Sequence, residues 1–268
     1  RLQRITSLHS NQCQKVKNIN FDNLNIIAFV FVFISTLYSS VGHGGASGYL
    51  AVLSLFAIGQ NDIFWLKSNV LVLNILVSSI ALYRFGRKGY LNFNFSYPFV
   101  LGSVPFAFIG SIIDIHHHIY EILLSITLFW MSIKLLFSFK NKETKINPSN
   151  FYLRFSIGSF IGFFSGLIGI GGGVFLSPIL FFLSWETTKK ITGASTLFVF
   201  SNSISGVIGL NSNSNFLLNQ TTILFFACAV IIGTIIGTQF SLSFGSRKNI
   251  KIILSFVVFL AAIKRFLI

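Results

Sequence analysis

Ser39–Ala51 reads SSVGHGGASGYLA and lies between two strongly apolar runs. A glycine inside a helix costs about 1 kcal/mol relative to alanine. Four glycines and a histidine within this stretch therefore interrupt any helix that arrives from the run before it. Such an interruption serves either close packing, because small residues let helices approach in lipid, or a bound ligand.

The surroundings set the medium. Runs such as IIAFVFVFISTLY (26–38) and TTILFFACAVIIGTIIGTQF (221–240) reach or approach the length of a membrane span. Of the 268 residues 53% are hydrophobic, 33 are Phe and only 10% are charged, against about 25% charged in an average soluble domain. These features predict an all-α polytopic membrane protein. The formal charge of +14 does not point to nucleic acid, because the basic residues fall in short segments between apolar runs. That is the pattern of loops facing anionic lipid. Cys13 and Cys228 lie in unlike surroundings, one in a polar tail and one in an apolar run, so they do not suggest a disulfide framework. Residues 1–23 are polar and basic and do not read as a signal peptide.

The break has a counterpart. GHGGASGYLA starts at Gly42 and GIGGGVFLSP starts at Gly169, an offset of 127. The same offset lays SNVLVLNILVSS from Ser68 on STLFVFSNSISG from Ser195, and the FIG ending at Gly110 on the IIG ending at Gly237. The chain thus divides into a tail (1–23), a first repeat (24–138), a linker (139–150) and a second repeat (151–268). Each repeat shows five apolar segments: 24–41, 49–59, 67–83, 97–113 and 119–138, then 155–169, 174–184, 194–210, 221–240 and 250–266. Segments 49–59 and 174–184 are too short to cross a ~30 Å core and read as half-helices.

Loop charges orient the segments. Arg84, Arg87, Lys88, Lys140, Lys142, Lys145, Arg154, Lys189, Lys190, Arg247, Lys248 and Lys251 fall on one side, while loops 60–66, 114–118, 170–173 and 211–220 carry no basic residue. The basic side is cytoplasmic by the positive-inside rule. Arg1, Arg4, Lys15 and Lys17 of the tail fall on the other side in this arrangement. An odd number of segments per half inverts one half relative to the other, a plan common in secondary transporters.

Interrupted segments at matching positions of two halves point to a midplane binding site. A helix N-terminus offers free N–H groups and about half a positive charge to an anion. Candidate ligands of a small anion are Gly42, His43, Gly44, Gly45 and Ser47 in the first break and Gly169, Gly171, Gly172 and Gly173 in the second. The helices that follow add Lys67, Ser68, Asn69 and Asn74, then Ser195, Thr196 and Asn202. Asn69 and Asn74 do not share one clean helix face. The polar side chains also fit interhelical hydrogen bonding, Lys67 also fits a snorkelling residue near a segment end, and His43 also fits a helix cap. Gly→Ala favours a helix by about 0.5–1 kcal/mol, so Gly45→Ala and Gly172→Ala are expected to fold. The run His116–His118 beside Asp114 reads as a loop, since zinc favours ligands spaced i and i+4 on a helix.

GHGGASGYLA, LVLNILVSSIALYRFGRKGYL, YPFVLGSVPFAFIGS, GFFSGLIGIGGGVFLSPIL, ASTLFVFSNSISGVIG and AAIKRFL together resemble the TauE/SafE family of sulfite exporters, also called TSUP permeases. The likeness covers about residues 27–267. It implies about eight transmembrane helices and transport of sulfite or related sulfur-containing anions across the plasma membrane, here a bacterial inner membrane. The reading is therefore a permease for a small anion, with a proton as a candidate coupling ion, no cofactor and no enzymatic activity. The alternatives are an anion channel of the same fold and a membrane-embedded metalloenzyme using His116, His117 and His118.

Overall fold

The computed structural model describes residues 21–55, 63–116, 118–120, 122–123, 125–126, 129, 133, 150–183, 185–218 and 220–243. Its bounded helices are α1 Phe21–Val41, α2 Ala46–Leu55, α3 Ile63–Arg87, α4 Phe93–Ile112, α5 Phe151–Ile168, α6 Gly173–Leu183, α7 Thr188–Ser212 and α8 Gln220–Ser243. Among the described residues no strand occurs. Most of segment 119–138, the linker except Asn150 and all of segment 250–266 lie outside the described residues, as do positions 1–20 of the tail.

Helix lengths follow the apolar pattern with one systematic difference. The helices α3, α4, α5 and α7 and residues Ile223–Leu242 of α8 are long and apolar enough to cross a membrane. By contrast, α2 has 10 residues and α6 has 11, or about 15 Å, half of a bilayer core. The difference lies in the starts: α3, α4 and α5 begin four residues before the apolar segments 67–83, 97–113 and 155–169, and α7 begins six before 194–210. In α7 the added residues include Lys189 and Lys190, which hydropathy alone reads as loop; in α3 they are the apolar Ile63, Phe64, Trp65 and Leu66.

Small residues set the packing. Gly158, Gly162 and Gly166 of α5 press on the backbone of Phe99, Ser103 and Ala107 of α4, so these two helices run parallel at close range. Gly233 and Gly237 of α8 press in the same way on Val32 and Thr36 of α1, where Thr36 Oγ1 also donates to the Gly233 carbonyl at 3.1 Å. Without side chains on one partner, backbones come near enough for dispersion to bind helices in lipid. Gly110 meets the carbonyl of Phe163 and Gly237 meets that of Thr36. The first members of these pairs are 127 residues apart, and so are the second.

At the centre, α3 and α7 cross antiparallel. Leu71 faces Gly206 and Asn74 faces Ser203, so residue numbers rise along one helix as they fall along the other. Apolar cores flank this pair. One joins α1, α2, the start of α3 and α8 around Phe31, Tyr49 and Phe226. The other joins α4, α5, α6 and the start of α7 around Phe99, Leu176 and Phe198.

Helix α4 shows how breaks are repaired here. Pro98 cannot donate to the carbonyl of Asn94, and Arg154 Nη1 takes that carbonyl and the next, Phe95, at 3.2 Å each. Asn92 caps the same helix, accepting from the Phe95 N–H at 3.2 Å. Outward faces carry Phe29, Tyr152, Phe160 and Leu224, all more than two thirds exposed, as a lipid-facing surface requires.

Candidate functional site

Both Gly-rich breaks are true interruptions. Gly42 and Gly44 have φ of +74° each, and Gly169, Gly171 and Gly172 have φ of +85°, +76° and +79°. An L side chain in this region costs roughly 1–2 kcal/mol, so the chain needs glycine to leave α1 and α5 and re-enter as α2 and α6. Every residue from 42 to 53 and from 165 to 174 is buried.

The two breaks meet. Gly44 lies against Asn74 and Val199, and Gly171 lies against Asn74, Ser203 and Val199. A Cβ placed on Gly173 would stand 3.4 Å from the His43 carbonyl. Asn74 joins the parts: its Oδ1 accepts from the Gly45 N–H at 2.9 Å and its Nδ2 donates to Ser203 Oγ at 2.8 Å. Each break also touches the long helix of the other half. Gly42 stands on Thr192 and Thr196 of α7, and Gly169 stands on the aliphatic stem of Lys67 of α3.

The second break is the more open to a ligand chemically. Phe175 and Leu176 donate to the Gly172 carbonyl at 3.0 and 3.2 Å. The first turn of α6, at Gly173 and Val174, thus has N–H groups with no acceptor within its own helix. Lys67 is 1% exposed, and its ammonium makes no hydrogen bond. It faces the rings of Tyr120 and Phe64 at 5.4 and 5.9 Å, and the Tyr120 hydroxyl donates to the last carbonyl of α5, Ile168, at 3.1 Å. This Lys67 does not snorkel out of the protein. Asn202, also 1% exposed, has neither amide atom paired. It lies one turn along α7 from Phe198, which packs on Gly172, and one residue from Ser203.

Other sequence candidates serve different contacts. Ser68 and Asn69 hold the chain after α7: the Leu217 N–H donates to Ser68 Oγ at 3.1 Å, and Asn69 Nδ2 donates to the carbonyls of Leu217 and Trp65 at 3.3 and 2.8 Å. Ser195 accepts from Ser177 of α6 at 2.7 Å. Thr196 donates to the Thr192 carbonyl at 2.8 Å and, at 3.5 Å, to the Gly42 carbonyl. Ser47 donates to the Tyr38 hydroxyl at 3.1 Å. Buried His43 sits in the first break itself. Asp114, His116 and His118 are exposed beyond α4, and among the described residues no three metal-ligating side chains gather. His117 lies outside the described residues.

Two expectations change. Gly172 requires a positive φ, and a Cβ there would crowd Phe198 at 2.8 Å; a Cβ on Gly45 would meet the ring of Tyr49. Neither glycine is free to become alanine: at Gly172 the backbone is left-handed, where alanine has no helix preference to gain, and at Gly45 the Tyr49 ring fills the space. Sequence reasoning also missed Val199 and Ser203. The offset of 127 pairs Asn74 with Ser201, two residues short of its partner in space.

The sequence profile of the sulfite exporter TauE/SafE family matches residues 27–265. A probable membrane transporter protein, y4hK of Sinorhizobium fredii (strain NBRC 101917 / NGR234), is 28% identical over 242 residues, which cover 89% of this chain and 96% of that protein. No solved structure matches. Five helices of spanning length among the described residues, two interrupted helices meeting inside the bundle and a family match along nearly the whole chain agree: the chain belongs to the TauE/SafE sulfite exporter family of membrane transporters.

Proposed function

We propose that the protein is a multi-pass permease of the bacterial inner membrane that carries a small anion, sulfite or a related sulfur-containing anion. The observation that carries this reading is the Lys67 ammonium, buried without a hydrogen bond and with its stem packed on Gly169 at the second break. A buried cation costs several kcal/mol unless a partner meets it. The rings of Tyr120 and Phe64 soften that cost through cation–π attraction, and an anion held near Gly169 removes it. The N–H groups at the start of α6, further along the same break, favour the same charge on its path.

The two halves are inverted copies in this reading, and they rock about the crossing of α3 and α7. The antiparallel course of that pair supports inversion, as do the matched contacts Gly110–Phe163 and Gly237–Thr36. The burial of both breaks supports reading the described conformation as an occluded one. A proton is the proposed coupling ion, with His43 as its carrier, since His43 is buried in the first break.

The test is thermal unfolding of purified protein with and without sulfite. Sulfite should raise the Tm of the parent protein, and Lys67→Met should remove that rise. An equal rise in both proteins would return Lys67 to a packing role.

A further inference from the structure

The two ends of the bundle are closed by different means. At one end α4 and α7 meet at backbone range. Ser205 Oγ donates to the Val104 carbonyl at 2.5 Å, Gly209 presses on the Phe108 carbonyl and the Ser111 hydroxyl, and Asn213 Nδ2 donates to the Ile112 carbonyl at 3.3 Å. The positions 127 residues earlier, on α3, are Ser78, Leu82 and Gly86. These do not repeat the pattern. Ser78 gives its hydroxyl to the Asn74 carbonyl of its own helix at 2.6 Å, Leu82 carries a side chain where glycine lets α4 come close, and a Cβ on Gly86 would meet nothing within 4 Å.

The seam between α3 and α8 is bridged instead by a long side chain. Arg84 Nη1 donates to the Ile235 carbonyl and, at 2.6 Å, to Thr238 Oγ1, while its Nη2 donates to Gln239 Oε1 at 3.0 Å. A guanidinium is a planar fork that can hold several acceptors at once. All three acceptors here are neutral, so the bridge can open without stranding a charged partner in the protein. Behind it α8 is joined to α1, because Gly233 and Gly237 press on the backbone of Val32 and Thr36. Thr234, one turn before Thr238, offers its carbonyl to Ser39 Oγ of α1 at 3.5 Å, three residues before Gly42. The bridge thus stands beside the end of α1 that leads into the first break.

Resting on the permease reading above and its inverted halves, we infer that Arg84 is the latch of the cytoplasmic gate. When its fork releases α8, the pair α1 and α8 swings off α3 and opens the first break to the cytoplasm. The α4–α7 seam, closed through backbone contacts, stays shut meanwhile.

The experiment follows one buried cysteine at each end, in full-length protein carrying Cys13→Ser and Cys228→Ser. Thr234→Cys reports on the α3–α8 seam and Ser111→Cys on the α4–α7 seam; both positions are fully buried. A membrane-impermeant methanethiosulfonate is applied to Thr234→Cys in inside-out vesicles and to Ser111→Cys in right-side-out vesicles, with no sulfite added. Arg84→Gln should speed labelling of Thr234→Cys about tenfold or more, the effect of losing hydrogen bonds made by a charged group. It should leave the rate at Ser111→Cys unchanged. Thr238→Val removes one acceptor and keeps the shape, so it should speed labelling less, and it decides the matter should Arg84→Gln not accumulate. An unchanged rate at Thr234→Cys, or an equal rise at Ser111→Cys, overturns the latch. Because labelling is read without substrate, that failure is distinct from failure of the permease reading, which falls if sulfite does not raise Tm.

Discussion

At the scale of single residues, Lys67 and Asn74 have opposite characters although both are buried in α3. Lys67 brings a charge without a hydrogen bond; Asn74 has both ends of its amide bonded to the chain. Mutation should separate them. Lys67→Met should lower anion affinity by tenfold or more, about the effect of losing one charged hydrogen bond, with Tm in the absence of anion unchanged or raised. Lys67→Arg should keep part of the affinity because it keeps the charge. Asn74→Leu strands the buried Gly45 N–H, which costs about 1–3 kcal/mol. It should therefore lower the Tm of the anion-free protein. A loss of affinity in Asn74→Leu at unchanged Tm would mean that Asn74 contacts the anion rather than tying the breaks together. Gly171→Ala should also lower Tm, by the roughly 1–2 kcal/mol of a left-handed alanine together with crowding of Asn74 and Ser203.

At the scale of elements, the short helices were legible in the sequence and the long ones less so. GHGG and GIGGG marked the ends of α1 and α5 to within a residue, because glycine is the residue that adopts the positive φ seen at Gly42 and Gly169. The start of α7 was hidden, since hydropathy sees Lys189 and Lys190 as loop-like. In the fold, the stem of Lys67 lies on Gly169 and Lys190 pairs with Glu186 at 2.7 Å. Which polar residues face the breaks was not legible either. Ser68, Asn69, Asn74, Ser195, Thr196 and Asn202 look alike in sequence, and only their neighbours on other helices distinguish a loop anchor such as Asn69 from a residue left unpaired such as Asn202. The crossing of α3 and α7 is directly testable. With Cys13→Ser and Cys228→Ser as background, the pair Leu71→Cys and Gly206→Cys should cross-link on mild oxidation. Leu71→Cys with Thr196→Cys should not, because ten residues of helix separate Thr196 from Gly206, about 15 Å. The reverse result would mean that the two helices do not run antiparallel in this register.

At the scale of the whole molecule, charge and contact agree on sidedness. Lys189 at the start of α7 donates to the Tyr90 hydroxyl in the chain after α3 at 3.0 Å, so the basic ends of these two helices share a face. Asn213 reaches the carbonyl of Ile112 at 3.3 Å, which brings the ends of α4 and α7 together on the face without basic loops. Cysteines introduced as Lys88→Cys and Lys189→Cys should react with a membrane-impermeant reagent only from the cytoplasm, and His116→Cys and Ser214→Cys only from outside. Labelling of Lys88→Cys and Lys189→Cys from opposite sides would contradict the inverted arrangement.

The central claim is that an anion passes beside Lys67 and leaves on the other side by alternation of the two halves. Counterflow in proteoliposomes tests it most directly: vesicles loaded with unlabelled sulfite are diluted into a trace of labelled sulfite. The account predicts transient accumulation of label that saturates with concentration and is lost in Lys67→Met. Uptake that rises linearly without saturation, is indifferent to sulfite inside and persists in Lys67→Met would contradict it.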